Sequence, residues 1–128
     1  MEFCHGKKQI IPWLLSAATP TIRYKTYKSL LNLPESEQKV INSRNEINLS
    51  GPVPEILSLQ IIPGQWPYIN HYYTPKYVST HWSLMLLEEL ALDSNEERFQ
   101  SGVDFMLAST LEDIQKRQSS LNTGLTCL

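Results

Sequence analysis

The chain has 128 residues, a hydrophobic fraction of 41% and a charged fraction of 19%, which suits one globular domain or a piece of a larger one. A net charge of −2 argues against a nucleic-acid-binding surface, which requires clustered basic residues. Two cysteines without a spacing pattern predict no disulfide framework, so we expect a cytoplasmic location. The sequence also has no run near the roughly 18 apolar residues that a membrane span requires. Basic residues precede the apolar stretch Ile10–Leu15, but Pro12 interrupts it, which disfavours a secretory signal.

Recurrent helix-capping signals and the near absence of strand signals predict an all-α fold of six or seven antiparallel helices, paired as helical hairpins. A first helix is expected over Lys8–Ala18, with Pro12 at or near its first turn. Thr19 and Pro20 then predict an N-cap followed by proline at the first helical position. This second helix is expected to end at Leu33–Pro34.

The middle of the chain predicts two more helices and a long connection. A third helix is expected from about Glu35 to Asn48, with Val40, Ile41, Arg44 and Ile47 on one side. After a break at Ser50–Pro52, a fourth helix uses as its inner stripe Val53, Ile56, Leu57, Gln60 and Ile61. The segment Ile62–Tyr73 exceeds a typical helix–helix loop and contains four aromatic residues, so we expect it to pack on the body of the protein.

The strongest helical pattern is expected to begin at Thr74–Pro75 and run to about Leu92. Its broad apolar face comprises Val78, Trp82, Met85, Leu86 and Leu90, and it is widened by Leu84 and Leu87 on its flanks. Ser94–Glu97 reads as a capping box for the next helix, whose inner face comprises Phe99, Val103, Met106 and Leu107. A weaker helix start is expected at Thr110–Asp113, and the polar segment Gln118–Gly124 is expected to form a loop.

One short motif, Q-x-x-x-G-x-W, stands between two of these helices and is formed by Gln60, Gly64 and Trp66. A glutamine at a helix end can direct its amide to backbone groups at the end of a neighbouring helix. Glycine permits a tight turn with φ above zero, and tryptophan provides a large flat surface. The motif therefore predicts a joint that connects consecutive helical hairpins.

Around this motif the chain resembles the prenyltransferase/squalene-cyclase-type repeat family. The matching segments are Gly51–Gln60, Pro63–Trp66, Tyr73–Tyr77, Ser79–Trp82 and the leucines 84, 86, 87 and 90. The upstream segments Pro12–Leu15 and Pro20–Tyr24 are similar to the helical lead-in of uncharacterised microbial members. The resemblance extends from about Ile11 to Leu107 and implies a partial α/α toroid. On this interpretation residues 1–50 are the lead-in, and residues 51–128 are one QW-type repeat and the start of the next, in the same domain.

The chain departs from the enzymes of that family. It has no D-x-D-D cluster, since Asp93, Asp104 and Asp113 stand singly, and no zinc-ligand set can be placed. We therefore expect no cofactor and no metal, and the chain reads as an N-terminal fragment whose catalytic residues are unknown. By resemblance, the full-length protein would hold an apolar isoprenoid-like ligand in a central cavity. Apolar helix faces left bare in one repeat are candidates for self-association.

A cluster of aromatic residues is the one candidate for chemistry: Tyr68, His71, Tyr72, Tyr73, Tyr77, His81 and Trp82. Their rings can stabilise a cation, with His71 or His81 as a proton carrier. Alternatively they clamp the long loop against helix ends, which the fold requires in any case. His81 lacks a second metal ligand one turn further on, since that position is Met85.

Two functions follow from these patterns. The first is a structural scaffold segment of an α/α toroid, with no complete catalytic site in this chain. The alternative is a HEAT-like helical-repeat module that binds protein partners on a concave surface, which the lead-in from Pro20 to Leu31 would suit. A closed apolar inner face would favour the first function, and an open polar groove would favour the second.

Overall fold

A computed structural model describes residues 3–67 and 72–125, with the side chains of residues 9–67 and 72–122. These residues are mainly helical: α1 is Phe3–Leu15, α2 Pro20–Lys25, α3 Gln38–Ile47, α4 Pro52–Ser58, α5 Thr80–Glu89 and α6 Glu97–Leu125. The described residues contain no β-strand, only an isolated antiparallel bridge between Ile62 and Gln65. The prediction of an all-α protein is confirmed.

By their internal contacts the residues form two units. The first unit extends to Ile56 and includes Leu87–Leu92, and the second comprises Leu57–Leu86 and the chain from Asp93 onward. The boundaries therefore fall inside α4 and α5. In the described part of the chain no helix combines the length and the hydropathy needed to cross a membrane.

The start of α2 agrees with the sequence-based prediction, whereas that of α1 does not. α1 begins and ends earlier than expected, and Pro12 lies inside it instead of in its first turn. The helix continues past this proline, since the Ser16 N–H donates to the Pro12 carbonyl oxygen at 3.1 Å. α2 begins at Pro20, as predicted, after Thr19 in an extended conformation with φ −79° and ψ 117°.

α2 continues into a π-helical turn, Thr26–Leu30. The Leu31 N–H donates to the Thr26 carbonyl oxygen, five residues earlier, at 3.1 Å. The Thr26 hydroxyl donates to the Ile22 carbonyl oxygen at 2.7 Å, so the side chain satisfies a carbonyl where the hydrogen-bond pattern changes.

The core of the first unit is formed where α2 packs on α3, and α3 presents Val40, Ser43 and Ile47 to it. Of the four residues predicted to share one side of this helix, Val40 and Ile47 are buried, whereas Ile41 and Arg44 are exposed. A residue with a long charged side chain is more stable at the surface, where the Arg44 guanidinium lies 3.5 Å from a Glu35 carboxylate oxygen. Ser43 takes the inner position because it is small and its hydroxyl donates to the Val40 carbonyl oxygen.

α5 differs from its prediction in both start and face. The Thr74–Pro75 peptide is cis and the helix begins at Thr80, so the expected start at Pro75 is wrong. The buried residues of α5 are Thr80, Ser83, Leu84 and Leu87, whereas Met85 and Leu86 are half exposed. Since apolar residues surround most of this helix, periodicity alone could not select the buried side. The small hydroxyl residues on one side allow neighbouring elements to approach there.

α6 begins at Glu97 and is capped by Glu96, not by Ser94 as expected. The Glu96 carboxylate accepts a hydrogen bond from the Phe99 N–H at 2.8 Å. The expected new start at Thr110 and the loop at Gln118–Gly124 are wrong, because one helix continues to Leu125. Three hydroxyls in this region donate to the carbonyl four residues earlier, which satisfies them without breaking the helix: Thr110, Ser119 and Ser120.

Candidate functional site

The Gln60 side chain connects the end of α4 to the first turn of α6. Its Nε2 donates to the Arg98 carbonyl oxygen at 2.9 Å. The backbone N–H of Gln60 donates to the Leu57 carbonyl oxygen at 3.3 Å, which continues the helical hydrogen bonding just past Ser58. The amide of Gln60 therefore reaches a neighbouring helix from a position that α4 itself holds in place.

A tight turn follows and brings Gly64 against the backbone of α6. The turn is closed by hydrogen bonds between Ile61 N–H and Gln65 O and between Gln65 N–H and Ile62 O, each 2.9 Å long. Gly64 has φ +83°, a conformation that L side chains rarely adopt. A Cβ at this position would collide with the carbonyl oxygen of Ser101 and lie 2.9 Å from its carbonyl carbon. Only glycine fits this approach.

Trp66 completes the joint and is 1% exposed. Its backbone N–H donates to the Thr80 hydroxyl at 3.2 Å, at the start of α5. Its ring lies against Gly102 of α6, where an added Cβ would be 2.9 Å from Cζ3 of the indole. The structure thus brings Gln60, Gly64 and Trp66 together on the first turns of α6. We call this arrangement the QW joint.

Two buried oxygens next to the QW joint lack a hydrogen-bond partner within the described part of the chain. They are Gln65 Oε1 and Ser79 Oγ, and Ser79 is fully buried. Their neighbours in sequence, Trp66 and Thr80, are hydrogen-bonded to each other. Buried polar atoms of this kind are commonly satisfied by an internal water molecule.

Four of the aromatic residues predicted as a cluster are in mutual contact. The ring centroids of Tyr73 and Trp82 are 5.5 Å apart, those of Tyr77 and Trp82 are 5.0 Å apart, and those of His81 and Trp82 are 5.4 Å apart. Tyr73 also lies 5.3 Å from His81. Tyr68 and His71 lie outside the described residues.

Hydrogen bonds tie the same segment to α5. The Trp82 indole N–H donates to the Tyr73 carbonyl oxygen at 3.1 Å, and the His81 N–H donates to the Tyr72 carbonyl oxygen at 2.8 Å. The rings are tilted or edge-on to one another at contact distance, a geometry that aromatic side chains prefer when they pack together, as in a loop clamp. Tyr77, at 76% exposure, has the largest accessible ring of the four.

Glu35, in the first unit, lies among charged and polar side chains that lower the pKa of its carboxyl group. Glu35 accepts a hydrogen bond from the Tyr24 hydroxyl at 3.2 Å and lies 3.2 Å from Lys28 Nζ, close to Arg44. The Lys28 hydrogen bond lowers the pKa of Glu35, and the Tyr24 hydroxyl and the two nearby positive charges lower it further. Burial raises the pKa of Tyr24, as does its hydrogen bond to Glu35. This cluster is an ion-pair network at the surface.

Among the described residues, no group of three or more His, Cys, Asp or Glu side chains could hold a metal ion. An open groove of about 430 Å³ lies along the first turns of α6 and is lined by Ser94, Phe99, Gln100, Val103 and Asp104. Its lining has no member of the aromatic cluster.

Sequence reasoning missed the α6 residues that receive the QW joint, namely Arg98, Ser101 and Gly102. A glycine inside a helical pattern was the available signal, since it commonly marks a close approach. No protein-family model, curated protein or solved structure matches this chain. The relation to the squalene-cyclase-type repeat therefore stays a prediction based on the motif.

Proposed function

We propose that this chain is a structural scaffold segment of an α/α toroid of the prenyltransferase/squalene-cyclase type. The convergence of Gln60, Gly64 and Trp66 on the first turns of α6 supports this proposal. All three residues contact α6: Gln60 by a hydrogen bond, Gly64 by close approach to the backbone and Trp66 by packing of its ring against Gly102. Such contacts fix the position of one helix against the next, which is the task of a repeat joint.

In the proposed protein this segment has no complete catalytic site of its own. Further repeats would complete the toroid, because a repeat unit is stabilised by stacking on its neighbours. The central cavity of the complete toroid would bind an apolar isoprenoid-like ligand, with the exposed ring of Tyr77 as a candidate contact. We place the protein in the cytoplasm, because Cys4 and Cys127 have no disulfide-type spacing.

A HEAT-like interaction module is the second candidate, and the lead-in of the first unit favours it. Ile22, Leu30 and Leu31 on this lead-in are 40%, 54% and 38% exposed. Apolar side chains on one helical segment are a common feature of partner-binding surfaces. In this function a protein partner, not a lipid, would cover them.

The native gene product, purified from its own cells, provides the test. A chain mass several times 14.7 kDa together with saturable binding of a fluorescent polyprenyl alcohol would support the toroid. A straight-chain fatty alcohol carrying the same fluorophore is the control for non-specific apolar binding. The mass is that of the single chain, measured under denaturing conditions, so that self-association does not affect it. A chain mass near 14.7 kDa, or equal binding of both probes, would contradict the toroid proposal and leave the interaction module.

A further inference from the structure

The second half of α6 carries a line of exposed apolar side chains. Leu107, Leu111, Ile114 and Leu121 are 60%, 57%, 48% and 68% exposed. With about 100° of rotation per residue, these positions and Gln118 fall within an arc of roughly 80° on one side of the helix. We call these five residues the α6 stripe. Their spacing of four, three, four and three residues is that of the a and d positions of a coiled coil.

An ion pair of the same segment lies on the opposite side of the helix from the α6 stripe. Glu112 and Lys116 form an ion pair of 2.7 Å about half a turn around the helix from it. The segment also contains Asp113 and Arg117, so its charges balance. From Ile114 to Asn122 every side chain is exposed, so packing within the described chain does not support this part of the helix.

A helical segment as short as residues 114–122 is only marginally stable in water when nothing packs against it. Most of the stability of such a helix comes from packing of its apolar side against a neighbour. The α6 stripe therefore requires an occupant.

We propose that the occupant is the α6 stripe of a second copy of this chain, in a parallel, in-register coiled coil. Gln118 selects this arrangement. In a two-fold parallel pair Gln118 faces its own copy, and each amide can donate to and accept from the other. Opposite a leucine of another register or of an unrelated helix, the amide would be buried without a partner.

The charges beside the α6 stripe are compatible with this pairing. The flanking positions toward a parallel partner are Thr110, Gln115, Arg117 and Asn122. In register, Thr110 is opposite Gln115 and Arg117 is opposite Asn122, so no like charges meet. The same face therefore accepts its own copy without repulsion.

The size of the α6 stripe predicts a weak dimer. From Leu107 to Leu121 it spans about 21 Å of helix, two heptads, which is short for a coiled coil. The interface would fall below the ~1,200 Å² typical of stable complexes, so we expect a dissociation constant in the micromolar range. Arg98, Ser101 and Gly102 lie on the other side of α6, so pairing leaves the QW joint intact. The inference does not depend on the toroid proposal.

Sedimentation equilibrium of the 128-residue chain, from about 5 to 500 μM, tests the inference. We expect a monomer–dimer equilibrium in which Leu111→Lys weakens association at least about tenfold. Ser120→Lys adds the same charge on the outer side of α6 and should leave association unchanged. A chain that stays monomeric would overturn the proposal, and this is the result expected if later repeats or a different protein cover the α6 stripe. Equal effects of the two variants on association would also overturn it.

Two further variants keep the test decisive if Leu111→Lys impairs folding. Gln118→Leu replaces the polar residue of the α6 stripe and should tighten association, and unchanged association would exclude Gln118 from the interface. In a Cys4→Ser, Cys127→Ser background, Leu121→Cys should form a disulfide-linked dimer under mild oxidation, whereas Ser120→Cys should not. Failure of Leu121→Cys to cross-link would contradict the parallel register.

Discussion

Gly102 of α6 lies directly against the indole of Trp66, so that a Cβ at Gly102 would be 2.9 Å from Cζ3 of the ring. The same Cβ would be 2.8 Å from Cδ2 of Leu84. Leucine can rotate a terminal methyl group away, but the ring is rigid and almost fully buried. The helix glycine and the motif tryptophan are therefore matched in size.

The variant Gly102→Ala tests this match. Alanine would favour the helix by about 1 kcal/mol, whereas overpacking typically costs about 1–3 kcal/mol. Since the ring cannot yield, we expect overpacking to prevail and the free energy of unfolding to fall, measured by urea denaturation. Ser120→Ala, at an exposed position of the same helix, should change it by less than about 0.5 kcal/mol. A stabilised Gly102→Ala would show that the ring is loosely packed.

Truncation of the indole should be far more harmful than overpacking. Trp66→Ala removes a ring that is 1% exposed, and large aromatic truncations in packed sites cost about 3–5 kcal/mol. The matched control is Trp13→Ala on α1, whose side chain is 71% exposed. We expect thermal denaturation to show a large decrease in melting temperature for Trp66→Ala and little change for Trp13→Ala. An unchanged melting temperature for Trp66→Ala would refute a structural role for the QW joint.

The variant Gly64→Ala measures how much the turn contributes to stability, independently of the Trp66 ring. A methyl group there meets the Ser101 carbonyl of α6 and also imposes strain at φ +83°. Both effects act in the same direction, so we expect a loss of more than about 2 kcal/mol in the free energy of unfolding. Gly51→Ala is the matched control, because Gly51 also has a positive φ, of +78°, but its nearest neighbour is the Pro20 side chain at 3.2 Å and no backbone atom comes closer than 4.0 Å. Equal losses in the two variants would mean that strain alone, not the approach to α6, sets the effect.

The parts of the fold that local chemistry determines were predictable from the sequence. The Thr19–Pro20 start follows from proline geometry, and the all-α class follows from capping signals. The spacing of Gln60, Gly64 and Trp66 predicts that they form a joint, but it does not predict their partners on α6. The motif indicates which contacts its side chains can make, but it does not identify the helix that they contact.

The errors in the prediction have a common physical cause, which is tertiary context. On α5, apolar residues occur on most sides, so the positions of Thr80 and Ser83 decided which side is buried. On α6, the serines and threonines that suggested a break return their hydroxyls to the preceding turn. On α3, Arg44 shares a side with Val40 and Ile47 but remains at the surface, where its guanidinium lies close to the Glu35 carboxylate.

The Glu35 network predicts a pH dependence of stability. Because Lys28, Tyr24 and Arg44 lower its pKa in the folded chain, Glu35 favours the folded state above its unfolded pKa of about 4.3. This stabilisation is lost as the pH falls through the lowered folded value. We therefore expect the melting temperature of wild type to exceed that of Glu35→Gln at pH 7, with a difference that decreases as the pH falls through the lowered folded pKa and that shrinks in high salt. Glu88→Gln, an exposed carboxylate on α5, is the control for general loss of charge. A difference between wild type and Glu35→Gln that does not change as the pH is lowered from 7 would assign the effect to packing of the side chain and not to its charge.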